Sequence, residues 1–226
     1  MKRILLTFLT LLIAIISYSQ NFPIKFMGIP VTGTRSDFIK SLQTKGFSTN
    51  SYTGKLHGQF NGIWVELTIH TNKDKVDRII ITNDKPFTEQ DIKNQYNTLV
   101  DEFNNNKKYI NPGETVYTIP EEENISYEIA AHNKRYEATY YQMIDMNNHN
   151  DYDEFTKYIY SKVDSSELSK LPQNEKLEKI KEVSGTYIAE VVSKRVVWFM
   201  IKQHYNDYYI NLDYDNEYNR PHGEDL

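Results

Sequence analysis

Acidic and amide side chains alternate near the end of the chain in a pattern that suits a hard cation. Counted from Asp213, oxygen-bearing side chains fall at positions 1, 3, 5, 7 and 12, the ligand positions of an EF-hand calcium loop. These residues are Asp213, Asp215, Glu217, Asn219 and Glu224. Position 6 is Tyr218, where that loop needs glycine, and a predicted strand precedes the run where the motif has a helix. Two predictions remain: a calcium site formed by the four carboxylates, or a flexible acidic tail.

Residue types that common catalytic sites require are scattered or missing. The sequence has no cysteine, which excludes thiol catalysis, disulfides and a lipid-modified N-terminal cysteine. No serine lies in a Gly-x-Ser-x-Gly elbow, and no two of the six histidines have the i,i+4 spacing of a helical zinc motif. Glutamates at residues 121–123 would serve a glycosidase only as a pair set ~5–10 Å apart across a cleft, so a solvated acidic loop is the simpler interpretation.

Aromatic side chains in two predicted strands indicate a site for binding. In residues 63–70, Trp64 and His70 lie on the polar face, opposite the alternating apolar residues. Tyr209 alternates with the apolar residues of a strand predicted over residues 208–214. An exposed tryptophan flanked by polar groups suits a sugar ring or a protein partner. The alternative is that another part of the chain covers Trp64.

A β-hairpin positions these residues and is the strongest local signal in the sequence. Residues 56–60 and 63–70 flank Asn61-Gly62, a pair that supplies the two positive-φ positions of a type I′ turn. A polar turn leads to a third apolar run at residues 76–82, so we expect a three-stranded antiparallel meander.

Helices are predicted on both sides of this meander. The first has Thr34 as its N-cap and ends at Gly46, with Phe47 as the apolar contact of a Schellman ending. The second begins after Thr88 and presents one apolar stripe. The stripe consists of Ile92, Tyr96, Leu99, Val100 and Phe103.

The sequence predicts an α+β fold in which a helix is followed by an antiparallel meander, repeated in two modules that pack together. The N-terminal module covers residues 20–143 and includes further strands at 116–119, 125–131 and 136–143. Residues 144–151, rich in Asn and Asp, form a linker. The C-terminal module covers residues 152–214, with helices at 155–163 and 174–183 and strands at 186–192, 196–204 and 208–214. Residues 215–226 form a polar tail.

The start of the chain has the pattern of a secretory signal peptide over residues 1–19. Lys2-Arg3 precedes an apolar run at residues 4–16, and small residues lead to a cleavage point before Gln20. The run is shorter than the ~20 residues that span a bilayer, which disfavours the alternative of an uncleaved membrane anchor. No later segment is apolar enough to span a bilayer, so no membrane span is expected after cleavage. We therefore expect a periplasmic or secreted protein that is not a lipoprotein. A net charge of −5 argues against nucleic acid as a partner.

Two segments resemble a family of uncharacterised exported proteins of anaerobic Gram-negative bacteria. They are residues 26–33 with the following helix that ends in Lys45-Gly46-Phe47, and residues 208–226. The resemblance implies export and a shared fold, and it implies no function. The order of helix and meander is also similar, in topology alone, to β-lactamase-inhibitor-protein-like modules, to envelope assembly lipoproteins and to the PepSY domain. A similarity in topology alone does not establish a function.

These features predict an exported envelope or secreted protein that binds an envelope protein or a glycan without catalysis. Calcium is the one cofactor that the sequence suggests. One alternative is a hydrolase acting on glycan or peptidoglycan through paired carboxylates, which a cleft lined by carboxyls of raised pKa would favour. The other is a small-ligand or carbohydrate-binding protein built on Trp64 and the tyrosines of the last strand, which a deep aromatic pocket would favour.

Overall fold

The computed structural model of the protein describes residues 22–113 and 115–220. The predicted signal peptide and Glu224 lie outside these residues. The strands are β1 Lys25–Phe26, β2 Ile29–Pro30, β3 Ser48–Thr49, β4 Leu56–Phe60, β5 Ile63–Asn72, β6 Lys75–Asn83, β7 Tyr109–Ile110, β8 Glu137–Gln142, β9 Arg195–His204 and β10 Asp207–Asn216. The helices are α1 Arg35–Gln43, α2 Glu89–Asn105, α3 Ile125–His132, α4 His149–Lys162, α5 Ser165–Lys170 and α6 Gln173–Val191, with a 3-10 turn at Val192–Lys194.

Eight strands form one antiparallel sheet in the order β3-β4-β5-β6-β10-β9-β8-β7, and β1 and β2 form a separate two-stranded sheet. Two meanders, β4-β5-β6 and β8-β9-β10, meet at the centre where β6 pairs with β10. Each is preceded by a helix and a two-residue edge strand, α1 with β3 and α2 with β7. The predicted α+β class with antiparallel strands is therefore confirmed, and the first helix-plus-meander unit forms as predicted.

The second meander crosses the predicted boundary between the two modules. β8 lies within residues 20–143 but pairs with β9 of the C-terminal part, and residues 144–151 fall between these two partner strands. Helices α4 to α6 are inserted at this point. The strands of both predicted modules consequently belong to one sheet, because β6 and β10 bond along residues 78–82 and 211–215.

Local signals around the first meander form as predicted. Asn61 and Gly62 adopt φ values of 47° and 77° in the turn between β4 and β5. The amide of Phe47 donates to the carbonyl of Leu42 at 3.2 Å, the six-to-one bond of a Schellman ending. Gly46 supplies the left-handed residue there, with φ at +92°.

The main core lies between one face of the sheet, the inner face, and the helices α1, α2 and α3. All five residues of the stripe predicted on α2 are buried there. A smaller cluster around Tyr187 joins α4, α6 and Phe22. We call the opposite side of the sheet the outer face. No helix in the described part of the chain combines the length and apolar character that crossing a bilayer requires.

Two predicted strands are wrong because the segments are helical. Residues 125–131 form α3, since the Asn124 side chain accepts a hydrogen bond from the Tyr127 amide at 2.8 Å as an N-cap. Residues 186–192 lie mostly in α6, where Val183, Tyr187 and Val191 recur every four residues and are buried. The β-branched residues of this run fit a strand locally, but the buried stripe has the helical period.

The predicted strand at residues 116–119 is also wrong. The amide of Ile119 donates to Asn97 Oδ1 at 2.8 Å, and its carbonyl accepts from Asn97 Nδ2 at 2.9 Å. A side chain of α2 thus satisfies the backbone groups that a neighbouring strand would otherwise take.

The first residues of the predicted polar tail are part of the fold. Asp215 and Asn216 end β10 and are buried. Asn216 Nδ2 donates to the carbonyl of Val31 at 2.8 Å, and Asn219 Nδ2 donates to the carbonyl of Val76 at 2.7 Å. These amide bonds fix the chain as far as residue 219.

Candidate functional site

The outer face is built by the period-2 alternation of five long strands, and the main core lies on the opposite face. Strand register places its residues in rows across the sheet. One row consists of Thr68, Ile80, Asp213, Trp198 and Thr139. The next row consists of His70, Arg78, Asp215, Val196 and Tyr141.

Both tryptophans of the chain lie on this outer face. Trp64 is 51% exposed, and Trp198 is half-buried at the centre of the sheet. A solvated face of an antiparallel sheet is normally polar, whereas Trp, Tyr, Met and Arg are the residue types enriched in protein interfaces. The outer face therefore combines polar residues with two tryptophans of the kind enriched in interfaces.

Trp64 is held in a fixed orientation by its neighbour His57. The two rings stack with centroids 4.8 Å apart and planes 4° apart. On its other side, His57 Nε2 lies 3.5 Å from Asp84 Oδ2. The indole is thus supported from one side and open to solvent on the other.

Arg78, Asp215 and Trp198 form a bonded cluster on three adjacent strands. The guanidinium of Arg78 donates two hydrogen bonds to the Asp215 carboxylate, one from Nε and one from Nη2 at 3.0 Å. Trp198 Nε1 donates to Asp215 Oδ2 at 3.0 Å, and the guanidinium lies 5.9 Å from the Trp198 ring centroid. These contacts lock the central indole in place.

Asp213 lies beside this cluster without sharing its bonds. It is 1% exposed, and neither carboxylate oxygen accepts a hydrogen bond from any described residue. Arg78 Nε is 3.9 Å from Asp213 Oδ1. Burial, and then the charge of Asp215, raise the pKa of Asp213 to about 7. The group therefore exchanges a proton near neutral pH.

A raised pKa beside a second carboxylate is the pattern that a hydrolase would need, but the geometry presents neither group to a substrate. Asp215 is saturated by donors from Arg78 and Trp198. Both oxygens of Asp213 are enclosed. General acid catalysis requires a carboxyl within hydrogen-bond reach of the bond that breaks.

The predicted calcium ligands are distributed over the end of β10 and the turn that follows it. Asp213 and Asp215 face outward from an extended strand, and Glu217 pairs with Arg220 at 2.5 Å. Within residues 22–113 and 115–220, no group of three or more His, Asp or Glu side chains is placed to hold a metal ion. Because Glu224 lies outside these residues, the complete calcium site stays a prediction.

The three predicted binding residues share the outer face but do not touch as one group. Tyr209 lies at the same end of the sheet as Trp64, and His70 lies at the other end, opposite Arg78. Sequence reasoning missed His57, Arg78 and Trp198. The alternation of Trp198 with buried Val197 and Phe199 was the signal that could have identified it.

Comparison with models of known protein families, with curated proteins and with solved structures finds no significant match for this chain. The resemblance to exported proteins drawn from two segments of the sequence stays a prediction.

Proposed function

We propose that this is an exported binding protein that recognises another protein through the outer face of its sheet. The observation that carries the proposal is the location of both tryptophans on that face, one stacked and exposed and the other locked at the centre. Interface hot spots are enriched in Trp, Tyr and Arg, and all three types occur on this face.

The dimensions of the face suit a protein partner. From β4 to β8 it crosses six strands spaced ~4.8 Å apart, so it is ~24 Å wide, and the outward residues of β5 run ~20 Å along the strand. The resulting area of ~500 Å² is of the same order as the ~800 Å² that each partner contributes to a standard interface. A broad pleated surface favours a protein over a small molecule, which needs enclosure.

Charge around the centre of the outer face is balanced. Arg78 and Lys202 oppose Asp213 and Asp215. Both oxygens of Asp213 are enclosed and Asp215 is bonded to Arg78 and Trp198, so the aromatic side chains, and not the carboxylates, are the groups offered to a partner.

Export is the second part of the proposal, and it is supported by the signal-peptide pattern of residues 1–19. Fractionation of the source cells tests it. We expect the full-length chain in the envelope or medium with Gln20 as the first residue, and a chain lacking residues 1–19 in the cytoplasm. Retention of the full-length chain in the cytoplasm would contradict export.

Site-specific photocrosslinking in the source cells tests the binding face. A photoreactive benzoylphenylalanine is placed at residue 64, at 209 and, as a control, at Tyr160, which is 63% exposed on α4. We expect adducts of one common mass at residues 64 and 209 and none at 160. The partner is then purified, and Trp64→Ala is expected to weaken its binding at least ~10-fold, while Tyr160→Ala does not.

The other outcomes of this experiment are also informative. Equal adducts at all three positions, or none at 64 and 209, would overturn the proposed face. An adduct that glycosidases remove, with no protein attached, would show a glycan-binding protein instead.

A further inference from the structure

A cavity of about 370 Å³ lies at one end of the inner layer, away from the outer face. The β1–β2 hairpin, the C-terminal end of α2, β7 and the start of α4 form its walls. The residues that matter here are Lys25, Phe103, Tyr109, Gln142, Asp151 and Arg195. Its size lies within the range of small-molecule sites.

Arg195, the first residue of β9, lines this cavity while being only 3% exposed. Its Nη2 donates to Gln142 Oε1 at 2.9 Å. Its Nε is enclosed by protein and has no hydrogen-bond acceptor among the described residues, and none of their carboxylates lies within ion-pair distance of the guanidinium. Burial lowers the pKa of Arg195, because the charged guanidinium is poorly solvated at this position.

Gln142, the side chain that accepts a hydrogen bond from Arg195, is neutral. Gln142 Oε1 accepts from Arg195 and from the Lys25 amide at 2.8 Å, and Gln142 Nε2 donates to the Lys25 carbonyl at 2.7 Å. The Asp151 carboxylate on the cavity wall is paired with Lys25 Nζ at 2.5 Å. The guanidinium is thus fixed in position without a direct ion pair, because Asp151 acts on it only from beyond ion-pair distance while it bonds to Lys25. Such an arrangement costs stability unless a further anion completes it.

We propose that the cavity binds a small organic carboxylate, whose two oxygens pair with the guanidinium of Arg195. The planar fork of arginine matches a carboxylate in a bidentate manner. Phe103, Tyr109 and Met27 provide apolar contact area for the body of the ligand.

The charges around the cavity define the ligand further. Three cations and three anions line it: Lys25, Lys108, Arg195, Glu102, Asp145 and Asp151. A balanced lining disfavours phosphates of higher charge, so the ligand is a monocarboxylate. Glu102 belongs to the last turns of α2, where the helix dipole is negative and the last turn itself has no basic residue. An amino group on the ligand is favoured on that side, which makes an amino acid the best-matched carboxylate.

The test uses three probes that share one skeleton: L-phenylalanine, 3-phenylpropanoate and phenethylamine. Each is titrated into residues 20–226 at constant ionic strength, and the Tm and Kd are measured by thermal scan and calorimetry. We expect both carboxylates to raise the Tm, by about 5 °C at 100 times Kd, with L-phenylalanine the tighter. The amine is expected to have no effect. Inorganic phosphate at equal charge concentration serves as the anion control and is expected to be inactive.

Arg195→Met removes the charge at similar volume, and Arg135→Met is the matched control on an exposed arginine. We expect Arg195→Met to fold with an unchanged or higher Tm and to lose the carboxylate response at least ~10-fold in Kd, while Arg135→Met keeps it. Arg195→Lys, which keeps the charge without the fork, is expected to retain weakened binding.

Absence of any carboxylate response in the unaltered protein would overturn the proposal. So would an equal response in Arg195→Met, or equal shifts with the amine and the acids. Because the cavity and the outer face lie on opposite sides of the sheet, these results are independent of the crosslinking result at residue 64.

Discussion

The rings of Trp64 and His57 are parallel to within 4° and 4.8 Å apart, on neighbouring strands of the outer face. The stack fixes the indole while leaving 51% of Trp64 exposed. A side chain that is ordered before binding loses little conformational entropy when a partner covers it. Replacing Trp64 is therefore expected to weaken binding strongly while changing the free energy of unfolding only slightly.

We expect Trp64→Ala to lower the free energy of unfolding by only about 1 kcal/mol, the value of an exposed aromatic stack. His57→Ala is expected to cost a similar amount, and the double variant less than the sum, because both changes remove the same contact. Urea denaturation at pH 7 measures all three. A cost above about 3 kcal/mol for Trp64→Ala would show that the indole is part of the core.

Asp213 should make stability depend on pH. Its pKa in the folded protein is raised to about 7 from 3.8, so between these values the folded state binds more protons than the unfolded state. Stability from this group is therefore fully present below pH 3.8 and is lost progressively as the pH rises to about 7. We expect Asp213→Asn to be more stable than the unaltered protein by up to about 4 kcal/mol at pH 8, by less than half of that at pH 5, and nearly equal to it at about pH 3.5.

Denaturation of both proteins across this pH range isolates the contribution of Asp213, because the other titrating groups are common to them. Arg78, Asp215 and Lys202 face Asp213 and contribute to its pKa. Asp207→Asn, at the exposed start of the same strand, serves as the control. A pH-independent difference for Asp213→Asn would show that Asp213 is ionised throughout.

Arg78 offsets the negative charges of Asp213 and Asp215, so we expect its replacement to lower the free energy of unfolding substantially. Arg78→Met leaves Asp215 and Asp213 without their cation in a mostly buried site. We expect a destabilisation of about 3–5 kcal/mol at pH 7, which becomes smaller at pH 5 as Asp213 takes up a proton. Arg135→Met, which breaks an exposed pair with Glu137, is expected to cost under about 1 kcal/mol. Equal effects of the two changes would contradict the assigned role of Arg78.

Gly58 allows the ring of Phe47 to lie against β4. A Cβ at residue 58 would lie 2.7 Å from Phe47 Cδ1 and 2.8 Å from its Cγ, and Phe47 is buried. We expect Gly58→Ala to cost about 1–3 kcal/mol by overpacking. Gly185→Ala, in α6 with nothing near the new Cβ, is expected to stabilise by about 0.5–1 kcal/mol. Thermal scans that give both changes the same sign would refute this account of the contact.

Local signals account for the elements that the sequence predicts well. The Asn61-Gly62 turn, the Thr34 cap and the Thr88 cap each act within a few residues, so no distant contact is needed to place them. Short apolar runs are different, because a strand and a helix can both bury them. Residues 186–192 are helical because Tyr187 packs against Phe22 and Phe155. Those contacts are not visible in the sequence of the segment itself.

The sequence by itself determines on which side of its strand a residue lies, because side chains alternate with a strict period of two. This holds for Trp64, His70, Tyr209 and Asp213. Only the tertiary structure decides that these strands share one sheet. The pairing of β6 with β10 brings Arg78 to Asp215 across 137 positions, and the pairing of β8 with β9 brings Arg195 to Gln142 across 53. No local preference encodes such pairings. They follow from burying the inner face of both meanders against α1, α2 and α3, a condition that only the whole chain satisfies.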